Sequence, residues 1–285
     1  MAGLVWRERP QLRRPVMVAG FEGWNDAGDA ASDAAAWLVR VFGGAEFAWI
    51  DPEEHFDFQS TRPRVELVDG ISRRIHWPQT TFHAVGSVEG DHDLVVLQGV
   101  EPNLRWRSFC DSVIEVARET GCELVVTLGA LLADVPHTRP VRITGSATDT
   151  DLIERLHLEH SGYEGPTGIV GVLHDACRAA GLASVSLWAP VPHYVASPPN
   201  PPATRELLAR LTELTRTPAH LSDLDAAAAT WRAQVSAAVE GDDDVRAYVQ
   251  QLEQQVDEIE PTLEMLSGDD IAAELERYLR DHRGE

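Results

Sequence analysis

Five short segments of this 285-residue chain carry side chains suited to acid, base or anion chemistry: "EGWND" at 22–26, "VEPNLRW" at 100–106, "VPHTRP" at 135–140, "YEGPTG" at 163–168 and "VPHYV" at 191–195. From them comes a candidate ligand or partner site made of Asn25, Asp26, Glu101, His137, Arg139, Glu164, Thr167 and His193. Carboxylates beside imidazoles and an arginine can move protons while stabilising an anion, as hydrolysis or phosphorolysis requires. A nucleophile is harder to find. There is no G-x-S-x-G, Thr138 and Thr167 have no motif around them, and no catalytic residue is assigned. His137, His193 and Glu101 lack ligand spacing such as H-E-x-x-H, so neither a metal nor a cofactor is expected. The same residues suit a purely structural role, with the loops serving as turns and helix entries and Arg139 pairing with Glu101 or Glu164, because half-buried charges need partners.

What brings these segments together is the pattern of apolar runs before them. "PVMVAGF", "AEFAWI", "DLVVLQG", "ELVVTLG" and "ASVSLWA" read as strands, and amphipathic segments alternate with them over the first two hundred residues. That alternation predicts an α/β fold with a mostly parallel sheet flanked by helices. In such a sheet the strand C-termini face one way, so loops distant in sequence share one rim. The first helix is expected from Asn25, as N-cap, to Gly43, and its alanine face implies close packing on the sheet. Residues 55–90 are short, alternating and broken by Pro or Gly, which predicts an edge β-ribbon. An edge of that kind invites pairing, so a homo-oligomer is expected.

After the proline-rich break "SPPNPPA" the texture becomes helical only. Leu224, Ala228, Trp231, Val235 and Ala238, then Val249, Leu252, Val256 and Ile259, keep the stripe spacing of a C-terminal helical hairpin turning at "EGDDD". A third helix is expected near Asp270–Asp281. The organisation reads as an α/β core domain over 1–200 and a C-terminal helical subdomain over 203–285.

The turn "GFEGWNDAGDA" sits where α/β proteins bind phosphates, yet its residues oppose one. Its glycines miss the G-x-G-x-x-G spacing, and Glu22, Asp26 and Asp29 would repel the anion. It is expected instead to place Asn25 and Asp26 beside Glu101 and His137. All 24 basic residues are arginine, which excludes P-loop and Schiff-base lysine chemistry. A net charge of −22 with no basic patch argues against nucleic acid. The 44% hydrophobic content suffices for a core, and Cys110, Cys122 and Cys177 are expected to be buried free thiols. No apolar run reaches a membrane span and the first residues lack a signal-peptide stretch, so no membrane association and a cytoplasmic location are expected.

In order along the chain, "PVMVAGFEGWNDAG", "LVVLQGVEPNLRW", "LGALLADVPHTRP", "YEGPTGIVGVL" and "LWAPVPHYVASPPNPPA" resemble the bacterial branch of the proteasome assembly chaperone 2 family. The resemblance implies a phosphorylase/hydrolase-like α/β core with a helical C-terminal part, and it makes a trimer the oligomer to expect. It implies a non-enzymatic, proteasome-assembly-chaperone-like interaction protein whose partners are proteasome subunits. The alternative is a hydrolase or nucleoside-phosphorylase-like enzyme acting on a small molecule at the C-terminal ends of the strands.

Overall fold

A run of apolar residues with no polar alternation, Val16–Phe21, forms a strand buried on both faces. The computed structural model describes residues 3–70, 72–86, 90–148 and 165–265. Within them the strands are β1 (Leu4–Trp6), β2 (Val16–Glu22), β3 (Ala45–Ile50), β4 (Arg64–Val68), β5 (Ser72–His76), β6 (Thr80–Val85), β7 (Leu94–Val100), β8 (Leu124–Ala133), β9 (Thr144–Ala147) and β10 (Ser184–Pro192). The helices are α1 (Ala30–Phe42), α2 (Trp106–Glu119), α3 (Ile169–Ala179), α4 (Pro201–Thr215), α5 (Ser222–Glu240) and α6 (Asp243–Met265).

Eight strands make one mixed sheet in the order β1-β3-β6-β7-β2-β8-β10-β9. The parallel pairing expected from the sequence occupies its centre, where β7, β2, β8 and β10 run together. Antiparallel strands complete both sides. The ribbon expected over 55–90 divides: β4 and β5 form a separate two-stranded sheet, while β6 joins the main sheet between β3 and β7.

Alternation along β2 sends Val16 and Val18 to one face and Met17, Ala19 and Phe21 to the other. The first face packs against α1 and α4 through Ala31, Ala34, Leu38, Leu207 and Leu211. The second packs against α2 and α3 through Phe109, Val113, Ile169 and Leu173. The alanines of α1 are a steric requirement. A Cβ on Gly20 would lie 2.6 Å from the Ala31 carbonyl oxygen and 2.9 Å from the Ala35 Cβ, so helix and strand touch backbone to backbone. Gly43 then ends α1 in a left-handed conformation, as the sequence predicts.

The three cysteines are free and buried. Burial pushes the Cys110 thiol up to about 12 and those of Cys122 and Cys177 to about 11.

The chain divides into two compact units, Met1–Ala133 with Val141–Trp231, and Asp134–Pro140 with Arg232–Glu285. In the first, α4 belongs to the sheet core, and the Trp37 indole donates to Asp223 at 3.0 Å, fixing the first turn of α5. In the second, Val235, Val239, Val249 and Leu252 are buried. The apolar stripe of α5 therefore runs through Val239 where the sequence suggested Ala238, which is exposed. Asp242 caps α6 by accepting from the Asp244 and Val245 amides. The helix expected near Asp270–Asp281 lies outside the described residues.

Candidate functional site

Parallel pairing aligns the C-terminal ends of β7, β2 and β8, and the polar cluster is built there. After β2 the chain turns so that the Asn25 carbonyl accepts from the Ala130 amide at 2.7 Å, stitching the turn to β8. After β7, the Glu101 amide donates to the Glu22 carbonyl at 2.8 Å, stitching that loop to β2. These backbone bonds bring Asn25 and Glu101 together, and the Asn25 amide nitrogen donates to Glu101 Oε1 at 2.9 Å.

The same Glu101 oxygen accepts from the Ile169 amide at 2.8 Å, at the N-terminus of α3. A carboxylate is favourable there because it meets an otherwise unpaired N–H and the positive end of the helix dipole. Gly168 makes the geometry possible: a Cβ at that position would lie 2.6 Å from Glu101 Oε1 and 2.3 Å from Asn25 Nδ2. Asn25 is only 2% exposed and its Oδ1 has no hydrogen-bond partner. Such an oxygen is a place for a ligand donor or a bound water.

Asp26 does different work. It turns back on α1, where its carboxylate accepts from the Ala31 amide at 2.7 Å, the Ser32 amide at 3.2 Å and the Ser32 hydroxyl. Capping of the first helix therefore falls to Asp26, where the sequence suggested Asn25. The Ala31 and Ser32 amides at the start of α1, of the kind a phosphate would use, are taken by a carboxylate of the chain itself. Burial raises the Asp26 pKa to about 6 against the opposing pull of the Ser32 and Ala31 hydrogen bonds.

Arg139 belongs to the second unit, and so does His137. Its Nε2 lies 3.0 Å from Ser236 Oγ, and burial lowers its pKa. Arg139 forks onto Asp257 at 2.7 and 2.6 Å and reaches Glu253 at 3.4 Å. The fork holds the Asp257 carboxyl below its usual range. Thr138 bonds Glu253 and the Tyr248 hydroxyl donates to Asp134 at 3.2 Å, so residues 134–140 are tied to α5 and α6 throughout.

Thr167 stands before α3, close enough to Gly171 that a Cβ there would meet its hydroxyl at 2.1 Å. His193 opens a 3₁₀ turn after β10, exposed, with its ring 5.9 Å from that of Tyr194. Glu164 lies outside the described residues. Among the described residues no group of three His, Cys, Asp or Glu side chains could hold a metal ion, and no helix is long and apolar enough to cross a membrane.

Polar residues alone do not describe this rim. Trp24 is 65% exposed, Leu104 48%, Leu131 43% and Leu132 50%, all at the C-terminal ends of β2, β7 and β8. The sequence signal was present in "EGWND", "PNLRW" and "GALLAD", where large apolar residues interrupt strand-end loops.

A mixed sheet covered by helices on both faces, with a strand-end rim whose carboxylates hold backbone amides, defines an α/β protein. A model of the PAC2 family matches residues 20–239, and the chain belongs to that family. Its sequence is 51% identical to a PAC2 family protein from Streptomyces avermitilis, whose crystal structure superposes with a TM-score of 0.77 over 82% of this chain and 99% of that one. It is 44% identical to a Mycobacterium tuberculosis proteasome-assembly chaperone homologue, with the same coverage and TM-score. An archaeal proteasome activator from Pyrococcus furiosus shares the fold at 19% identity, with a TM-score of 0.67 over 84% of this chain and all of that one. No curated protein matches the chain.

Proposed function

We propose that this PAC2 protein acts by docking on other proteins, as a non-enzymatic proteasome-assembly-chaperone-like factor whose partners are proteasome subunits in the cytoplasm. The observation that carries this reading is the division of labour at the strand ends. Glu101 and Asp26 are spent on backbone amides, while Trp24, Leu104, Leu131 and Leu132 stand in water. Exposed aromatic and aliphatic side chains above a rigid base are what a protein partner buries. Asn25 and Glu101 fix the base from within. The similarity to the mycobacterial proteasome-assembly chaperone homologue supports proteasome subunits as the partner class. The protein works as a homo-oligomer, with a trimer as the expected form. Mixing it with proteasome α and β subunits from its own host should change the rate or yield of half-rings and rings on native gels, and Trp24→Glu should abolish the change. Unaltered ring formation with the wild-type chain would sink the reading.

One observation favours an enzyme instead: the buried Asn25 Oδ1 without a partner, beside a carboxylate. On that reading the rim hydrolyses or phosphorolyses a small molecule. Turnover of a nucleoside or amide by the wild-type chain, lost in Asn25→Ala with folding intact, would establish it in place of the first.

A further inference from the structure

The β4–β5 hairpin leaves an apolar face open to water. Its register sets Val65 opposite Ile75 and Leu67 opposite Arg73, so alternation puts these four on one face. Val65 is 59% exposed, Leu67 64% and Ile75 53%. A two-stranded ribbon is marginal by itself and gains from having such a face covered. At the base of the ribbon the Trp77 ring lies 4.9 Å from that of Phe58.

The ribbon is also basic on an otherwise acidic chain. Glu66 is shared by His76 at 2.7 Å and Arg74 at 4.0 Å. Among the described residues, Arg62, Arg64 and Arg73 make no ion pair at all. The net charge of the whole chain is −22, so the ribbon complements the rest of its own sequence.

A surface groove of about 570 Å³ between α2 and α3 has the opposite character. Ile114, Ala176, Ala179 and Ala180 form an apolar floor, and Asp111 and Glu115 stand along it. Neither acid has an ion pair among the described residues, and Glu115 Oε2 is buried without a hydrogen-bond partner. The other two charges in the groove are occupied: Arg118 donates to the Ala180 carbonyl at 2.8 Å, and Glu119 is held by Arg9.

We propose that the β4–β5 ribbon of one copy docks in the α2–α3 groove of the next, laying Val65, Leu67 and Ile75 on the alanine floor and bringing Arg73 to Glu115. The contact is heterologous, since every copy offers one ribbon and one groove, and its repetition closes a ring when the rotation allows. Ribbon against ribbon would oppose like charges and leave both grooves empty. This joint rests on the homo-oligomer reading above and supplies it with named surfaces.

Light scattering on the full chain separates the two ideas. The wild type should be oligomeric, while a ribbon variant (Leu67→Asp with Ile75→Asp) and a groove variant (Glu115→Arg) should each run as monomers with an unchanged near-ultraviolet spectrum. Mixed in equal amounts, the two should give heterodimers and nothing larger, because only one ribbon and one groove remain intact. Combining Arg73→Glu with Glu115→Arg in one chain should restore assembly. A monomeric wild type overturns the oligomer reading and the joint with it. An oligomer that survives both variants overturns the joint alone. If the ribbon variant stays oligomeric but loses its effect on proteasome assembly, the occupant of the ribbon is another protein and the proposal falls.

Discussion

Glu101 and Asn25, 76 positions apart in the chain, meet at 2.9 Å where β2 and β7 end, and the same Glu101 oxygen holds the first amide of α3. One carboxylate thus ties two loops and a helix together.

Glu101→Ala should therefore cost about 2–3 kcal/mol, because it leaves the Ile169 amide and the Asn25 amide nitrogen without an acceptor. Glu101→Gln keeps an oxygen in place and should cost about 1 kcal/mol or less. Urea unfolding of both variants measures the difference. Equal stability of Glu101→Ala and the wild type would remove the tie.

Asp26 predicts a pH dependence with a definite sign. Its folded value, about 6, stands above the unfolded value of 3.8, so its contribution to stability is fully present below the unfolded value and is lost as pH rises through about 6. Asp26→Asn removes that loss. The stability gap in favour of the variant should widen by about 3 kcal/mol between pH 3 and pH 8. Burial lowers the pKa values of His55, His83, His137 and His174, which act in the opposite direction but cancel between variant and wild type. Denaturation curves at three pH values would decide it, and a gap independent of pH would contradict the assignment.

Trp24 is 65% exposed, so Trp24→Glu should change stability by no more than about 0.5 kcal/mol while removing the effect on proteasome assembly. A variant that assembles rings like the wild type would take Trp24 out of the docking surface.

In the second unit Leu252 is 2% exposed, and Leu252→Ala should cost about 2–4 kcal/mol, read from the loss of helical circular dichroism with temperature. Trp231, which is only partly buried, should cost less when truncated to alanine than Leu252 does. The reverse order would mean that α5 packs through Trp231.

The central strands were legible because β2, β7 and β8 are covered on both faces and so read as unbroken apolar runs. The insertion of β6 between β3 and β7 was not, since its short alternating pattern fits a ribbon as well as a sheet and only pairing decides. The meeting of Asn25 and Glu101 followed from strand-end convergence, whereas Arg139 found Asp257, 118 positions away, through a helix whose placement no local pattern encodes. Asp26 could be distinguished from Asn25 as the cap only once the turn between them and α1 had a shape.

The burial of Cys110, Cys122 and Cys177, with thiols pushed to about 12, 11 and 11, leaves the native chain with no reactive thiol at neutral pH. For spectroscopy that is an empty background. A cysteine introduced at Ile75 would take a maleimide dye or spin label alone, and its signal would report directly on whether the ribbon lies in water or against another chain.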